Sequence, residues 1–432
     1  MAELLITNAA LPEGRTGVDI LCTDGKIVAV GPKLGAHAGA TIDARGLLVA
    51  PPFVDAHFHI DSALTYGMPR VNASGTLLEG IALWGELKPT LTQEAIAGRA
   101  LAYCDLAVSK GLLAIRSHVD TSDTRLLAVE ALLDVQKRVK PYLDLQLVAF
   151  PQDGVLRSPG ALHSLKRALA MGVDVVGGIP HFERTMADGA ESVRVLCEIA
   201  ADLGKRVDMH CDESDDPLSR HVETLAHHAQ RLKLHGRVTG SHLTSMHSMD
   251  NYYVSKLLPL IAEAGVHAVA NPLINITLQG RHDTYPKRRG MTRVPELMAA
   301  GVTVAFGHDC VMDPWYALGS GDMLEVAAMG LHVAHMTGQA GMRACFDAVT
   351  VNAARVLGLD EHGIAPGKPA DLVLLQAHDP VEAIRLRATR LLVVRRGQVL
   401  ARTPPATASL QLPDRPTQVD WTQQRRGLAP LV

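Results

Sequence analysis

No apolar run in the sequence approaches the roughly 18 residues needed to cross a bilayer. The N-terminus, MAELLITNAALPEG, carries Glu3 where a secretory leader would carry Lys or Arg, and no long apolar stretch follows. A cytoplasmic protein with no membrane partner is expected. A basic excess is also missing: 42 Lys and Arg stand against 45 Asp and Glu, a formal charge of −3. Proteins that bind nucleic acid or membrane surfaces usually lean the other way, so no nucleic-acid partner is expected either. The six cysteines (Cys22, Cys104, Cys197, Cys211, Cys310, Cys345) show no CxxC spacing. They read as free thiols, most of them small core residues. Aromatics are scarce, with six Phe, seven Tyr and three Trp. There is no solenoid-period repeat and no low-complexity tract.

Histidine is abundant, at 20 residues. It is the commonest metal ligand and the usual acid or base at neutral pH. With 47% hydrophobic and 20% charged residues, 432 residues can bury a large core. The length fits two or three domains, or one large barrel with a small satellite.

Eight short β-rich runs can be counted, at 46–57, 111–120, 143–152, 172–181, 206–213, 237–244, 265–272 and 301–309. Most are apolar on both faces, as strands of a doubly covered parallel sheet must be. Between them, 91–110, 123–140, 188–204, 216–233 and 249–264 show helical spacing. The first of these opens on Thr92-Gln93-Glu94 and stops at Gly111. Eight strand-then-helix units predict a (β/α)8 TIM barrel over 51–360. A doubly wound sheet is the alternative, but the glycine-rich phosphate loop expected after its first strand is missing. Residues 1–50 and 361–432 carry short alternating runs, with hairpin turns at Asp24-Gly25-Lys26 and Arg395-Arg396-Gly397-Gln398. These ends are expected to form one small β-sandwich domain, with 403–432 as an extended arm.

Reactive groups of such a barrel sit at the C-terminal ends of its strands. The first run ends in His57-Phe58-His59, and positions i and i+2 of extended chain face the same way. The fifth ends in His210-Cys211-Asp212-Glu213, the sixth in Ser241-His242 and the eighth in His308-Asp309. His57, His59, His210 and Asp309 make an N/O metal set. Glu213 and His242 remain beside it as acid/base groups. His118, His181 and His308, at other strand ends, are expected to support them. Phe150 and Trp315 are close to these groups in sequence and are expected to wall the pocket.

These residues resemble the amidohydrolase superfamily. More narrowly, the chain resembles bacterial cytosine deaminases over nearly its whole length. The stretches that carry the resemblance include PPFVDAHFHID, SGTLLEGI, RSHVDTSD, DLQLVAFPQDG, DMHCDESDD, SHLTSMHS, NPLINITLQGRHDTYPKRRG and FGHDCVMDPWYALG. The resemblance implies that His57, His59, His210 and Asp309 hold one divalent ion, Fe2+ or Zn2+, and it tilts toward iron. It implies that Glu213 moves protons between water, ring nitrogen and departing amine, while His242 holds and helps deprotonate the water. It further implies that Gln152 hydrogen-bonds the amide-like edge of a pyrimidine and that the backbone around Leu77 touches the ring. Relatives form homo-oligomers, so a homo-oligomer is expected. Two-metal relatives bridge their ions through a lysine near the fourth strand. Here that strand ends Gly178-Ile179-Pro180-His181, and a single metal is expected.

One departure bears on substrate. Typical cytosine deaminases carry HDD after the eighth strand, but this chain has His308-Asp309-Cys310. Cys310 is smaller than carboxylate and uncharged, so it frees space for roughly one methyl group, worth about 1–3 kcal/mol in discrimination. The expected reaction is 5-methylcytosine to thymine, or cytosine to uracil, with release of ammonia. Isocytosine, isoguanine and creatinine-like rings offer a similar amidine edge. A catalytically silent scaffold is the non-enzyme alternative, but none of the six site residues is missing.

Overall fold

The structure, a computed structural model, describes residues 2–420 and residue 422. These fall into two compact units. One comprises the residues up to Pro52, Val108–Gly111 and those from Glu361 onward. The other comprises Phe53–Ala107 and Leu112–Asp360.

The larger unit is an eight-stranded parallel barrel. Its strands are β1 (Phe53–Phe58), β2 (Leu112–Asp120), β3 (Asp144–Phe150), β4 (Val175–Gly178), β5 (Arg206–Cys211), β6 (Val238–His242), β7 (Val266–Ala270) and β8 (Val304–Phe306). Each pairs with its neighbours in sequence. β8 closes on β1 through the site residues themselves: His59 N donates to Asp309 O at 3.0 Å and Asp309 N to His57 O at 2.8 Å. β1, β2, β4, β6, β7 and β8 are buried along their whole length, which is why their sequences are apolar on both faces.

The helical periodicity translates directly. Helix Gln93–Ser109 starts where Thr92 Oγ1 accepts from Ala95 N, and Gly111 beyond it is left-handed at φ +73°. Helix Asn251–Glu263 is capped by Asp250, which accepts from Tyr252 N at 2.8 Å. The run at 216–233 narrows to His221–Arg231, because Asp212 draws residues 219–222 into a turn ahead of the helix.

The expected first strand, 46–57, divides in two. Val49–Ala50 belongs to the smaller unit and pairs with Leu372–Leu375. Pro51 and Pro52 follow, and proline has no N–H to give a ladder. The smaller unit has two four-stranded sheets. One orders Lys26–Gly31, Val18–Thr23, Ala2–Ala9 and Ala38–Asp43; the other orders Gln398–Arg402, Arg390–Arg395, Leu372–Leu375 and Val49–Ala50. Leu4, Ile6, Ile20 and Ile27 from one chain end pack with Leu372, Leu392 and Val394 from the other. Both expected hairpin turns form, with positive φ at Asp24-Gly25 and Arg396-Gly397. The expected extended arm instead contains a short ribbon, Ala408–Ser409 against Gln418–Val419. The rest of that expectation, residues 421 and 423–432, lies outside the described residues.

Beneath the barrel mouth lies a buried polar layer. Arg116 Nη1 meets Asp208 Oδ2 at 2.9 Å, and both side chains are fully buried. Arg116 also donates to Gln146 Oε1 and to Val356 O, and Ser241 Oγ donates to Asp208 Oδ1. Removing one partner of such a pair strands a buried charge. Asp208→Ala is therefore expected to cost roughly 3–5 kcal/mol. Urea unfolding checks this; a loss below about 1 kcal/mol would mean that Arg116 finds another partner.

Candidate metal centre and pocket

Strands β1, β5 and β8 bring four expected ligands to one point. His57 Nε2 and His59 Nε2 lie 3.4 and 3.5 Å from the same oxygen, Asp309 Oδ1. His59 Nε2 is 2.9 Å from His210 Nε2. The ligand atoms of His57, His59, His210 and Asp309 lie within 4.8 Å of one another, and all four residues are buried. Both ring nitrogens of His57 and Nδ1 of His210 are buried without a hydrogen-bond partner among the described residues. Buried polar atoms rarely stay unpaired. A cation at the focus of these rings would satisfy these nitrogens, and three imidazoles with one carboxylate suit a divalent metal. A deeper set, His57, His118 and Asp208, also converges. There Asp208 is already paired with the Arg116 cation.

The electrostatics agree. Burial brings His59 down to about 4 and holds His210 and His242 well below the ordinary imidazole value. All three are neutral at pH 7, the form that binds metal. Burial pushes Asp309 up, but the adjacent His57, His242 and His59 outweigh it and hold the carboxyl below its usual range. Glu213 behaves oppositely. Burial first, then the Asp309 charge, raise its carboxyl well above the carboxylate range, which favours the protonated form that can donate.

Backbone strain aims these groups. His242 and Asp309 adopt left-handed φ of 73° and 70°, and Asp212, next to Glu213, has φ 54°. Such non-glycine conformations persist where the surroundings fix them. The Asp212 carboxylate does so by accepting from His221 Nδ1, Ser219 Oγ and the N–H groups of His221 and Val222 at 2.7–3.0 Å. His308 holds the next turn: Ser320 N donates to its Nε2, so its Nδ1–H donates to Cys310 O at 3.0 Å.

His242 stands between the two carboxyl groups. Its Nδ1 is 3.5 Å from Glu213 Oε1 and its Nε2 is 3.9 Å from Asp309 Oδ2. Asn275 sets its tautomer. Asn271 N donates to Asn275 Oδ1, which turns Asn275 Nδ2 toward His242 Nδ1 at 3.0 Å. Nδ1 therefore accepts, and the ring proton sits on Nε2. Sequence reasoning assigned nothing to Asn271 or Asn275. Asn271 directly follows β7 and Asn275 lies one turn into the helix Pro272–Leu278 behind it; closeness to a strand end was the available signal.

Above the centre opens a cavity of about 600 Å3 including its mouth, within the usual range for small-molecule sites. Leu77, Gln152, Glu213, His242, Cys310 and Trp315 line it, together with His59, His210 and Asp309. Phe150 does not. It is fully buried and stacks on the His210 ring, centroids 4.0 Å apart and planes at 17°, so it backs a ligand instead of walling the pocket. The strand ends at Phe150, so alternation does not carry on through Pro151 to give Phe150 and Gln152 one common face. His181 proves more central than expected. It lines the cavity and places Nδ1 3.2 Å from His210 O. Ile81, Phe182, Ile274 and Leu278 complete a largely apolar wall.

Comparison with known proteins agrees with this geometry. Residues 40–401 match the model of the amidohydrolase family. The fold superposes on a 5-methylcytosine deaminase from Klebsiella pneumoniae liganded with 5-fluorocytosine, with a TM-score of 0.92, 41% identity, and coverage of 95% of this chain and 100% of that one. It also superposes on an N-isopropylammelide isopropylaminohydrolase from Burkholderia multivorans, with a TM-score of 0.82, 30% identity, and coverage of 93% and 99%. A pterin deaminase from Rhizobium rhizogenes is 29% identical over 94% of this chain and 95% of its own length. No helix among the described residues is long and apolar enough to cross a membrane. A barrel closed through Asp309, a three-histidine, one-aspartate centre and a match across most of the sequence converge: this chain belongs to the amidohydrolase family, as a cytosine-deaminase-like member.

Proposed function

We propose that the protein removes the exocyclic amine of a free pyrimidine base by hydrolysis, taking 5-methylcytosine to thymine in preference to cytosine to uracil. The carrying observation is Cys310, an uncharged side chain lining the pocket beside Asp309 and Trp315, where a carboxylate was the family expectation. Burial first, then the nearby Asp313, push the Cys310 thiol well above its ordinary value, so the side chain stays uncharged. Similarity to a 5-methylcytosine deaminase over the full length of that chain supports the reading.

The residues divide the work by chemistry. A divalent ion, Fe2+ or Zn2+, held by His57, His59, His210 and Asp309 would supply a Lewis acid that lowers the pKa of water toward ~7. Glu213, whose protonated form its burial favours, donates to the ring nitrogen next to the amine-bearing carbon, which makes that carbon electrophilic. His242, with its proton on Nε2, orients the attacking water. One water proton ends on the ring nitrogen and the other on the departing amine, so water and base yield thymine and ammonia. Gln152 offers its carboxamide to the amide-like edge, and the aliphatic wall beside Leu77 excludes bulk water.

The test is ammonia release by the metal-loaded protein from cytosine, 5-methylcytosine, isocytosine, isoguanine and creatinine, with elemental analysis naming the ion. A fully metallated chain inert on all five would favour the scaffold reading. Cys310→Asp restores a charge where the methyl would lie. It is expected to shift the ratio of kcat/KM toward cytosine by roughly 10-fold to 100-fold; an unchanged ratio would separate Cys310 from specificity.

A further inference from the structure

Helix Leu77–Leu87 covers one side of the pocket, with Leu77 and Ile81 facing the cavity. Gly80 sits between them in sequence. Its backbone is helical, so no special φ calls for glycine there, and glycine inside a helix is destabilising relative to alanine. The reason for it is a neighbour. A Cβ on Gly80 would stand 2.5 Å from Trp315 Cδ1 and 2.9 Å from both Cγ and Nε1. Real Cβ atoms do not come that close, so any other residue must displace the helix or the indole.

The helix is held. One turn beyond Gly80, Trp84 Nε1 donates to Asp120 Oδ2 at 2.9 Å. One turn further, Lys88 Nζ reaches Asp120 Oδ2 and Asp153 Oδ2, each at 3.0 Å. The Trp315 backbone is held as well. Trp315 N and Tyr316 N donate to Asp313 Oδ1 at 2.9 Å, and Ser62 Oγ donates to Asp313 Oδ2 at 3.1 Å. The indole itself lines the cavity, with its centroid 5.9 Å from the Trp84 ring and 6.4 Å from the His59 ring. Cys310 lines the same cavity as the indole. Indole and thiol are therefore two parts of one cavity wall.

We propose that Gly80 is a specificity-determining residue: the recess left by its missing side chain keeps the Trp315 indole back and leaves the width that a methyl-bearing ring needs. The proposal rests on the pyrimidine reading above. In Gly80→Ala, the added methyl drives the indole into the cavity. The expected result is a loss of kcat/KM for 5-methylcytosine that exceeds the loss for cytosine by roughly 10-fold to 100-fold, carried mainly by KM. Adding Trp315→Phe to Gly80→Ala replaces the indole with a smaller ring and is expected to recover most of the ratio. Equal losses for both bases, or no loss, would overturn the proposal, because a shifted helix or a loosened fold would not tell the bases apart. A crystal structure of Gly80→Ala gives a readout independent of turnover. An indole left in place, with the helix moved instead, would overturn the recess even if the wild-type protein deaminated neither base, a result that by itself would sink only the pyrimidine reading. Should Gly80→Ala fail to fold, Trp315→Phe alone tests the wall from the other side: the ratio is expected to rise toward 5-methylcytosine, and an unchanged ratio would overturn the proposal.

Discussion

Glu213→Gln is expected to lower kcat by roughly 10²-fold to 10⁴-fold, the range for a lost general acid and base. The amide has the shape of the neutral acid that burial and Asp309 favour. It can still donate to the ring nitrogen, so KM is expected to change little. It cannot release that proton or take another, so the chemical step suffers. Glu213 is outside the four-ligand set, so metal content is expected to stay at the wild-type level. Steady-state kinetics beside elemental analysis separate these effects. A fall in kcat of less than about tenfold would move the proton carrier elsewhere. His242, whose Nδ1 is 3.5 Å from Glu213 Oε1, is the nearest alternative.

Asp309→Asn is expected to cost bound metal as well as rate, because it removes the carboxylate on which His57 and His59 converge. Asparagine is the right replacement. Position 309 is left-handed, a region Asn tolerates better than most residues, and its N–H and C=O close the barrel onto His57 and His59. The fold is therefore expected to survive. Bound metal is expected to fall well below the wild-type content, and kcat/KM by more than roughly 10²-fold, beyond what residues that merely orient ligands contribute. Undiminished metal content would mean that the three histidines suffice as ligands.

Much of this site was legible because the barrel ties position in the strand to position in the mouth. His57 is the next-to-last residue of β1 and His59 directly follows it, His210 is the next-to-last residue of β5, His242 is the last of β6, and Asp309 follows β8. All are placed by alternation and strand ends alone. Local signals also set the turns at Asp24-Gly25 and Arg396-Gly397, where positive φ selects the residues. What escaped depends on partners far apart in sequence. The break between Val49–Ala50 and β1 needs the pairing of Val49 with Leu374 to be seen. Phe150 turns its ring onto His210, 60 residues away, which no spacing rule predicts. Asn275 acts through His242 across two strands, and Gly80 acquires its meaning only against Trp315. Helix Leu77–Leu87 lies in the longest connection after a strand end, where periodicity is short and the helix is recognised by its Thr76 cap, which accepts from Glu79 N.

Offering the metal-loaded protein equal amounts of cytosine and 5-methylcytosine together tests the central claim most directly, because the product ratio reads the ratio of the two kcat/KM values. Thymine is expected to accumulate ahead of uracil, with ammonia released in step with both. Uracil ahead of thymine, or no ammonia from a fully metallated chain, would contradict it.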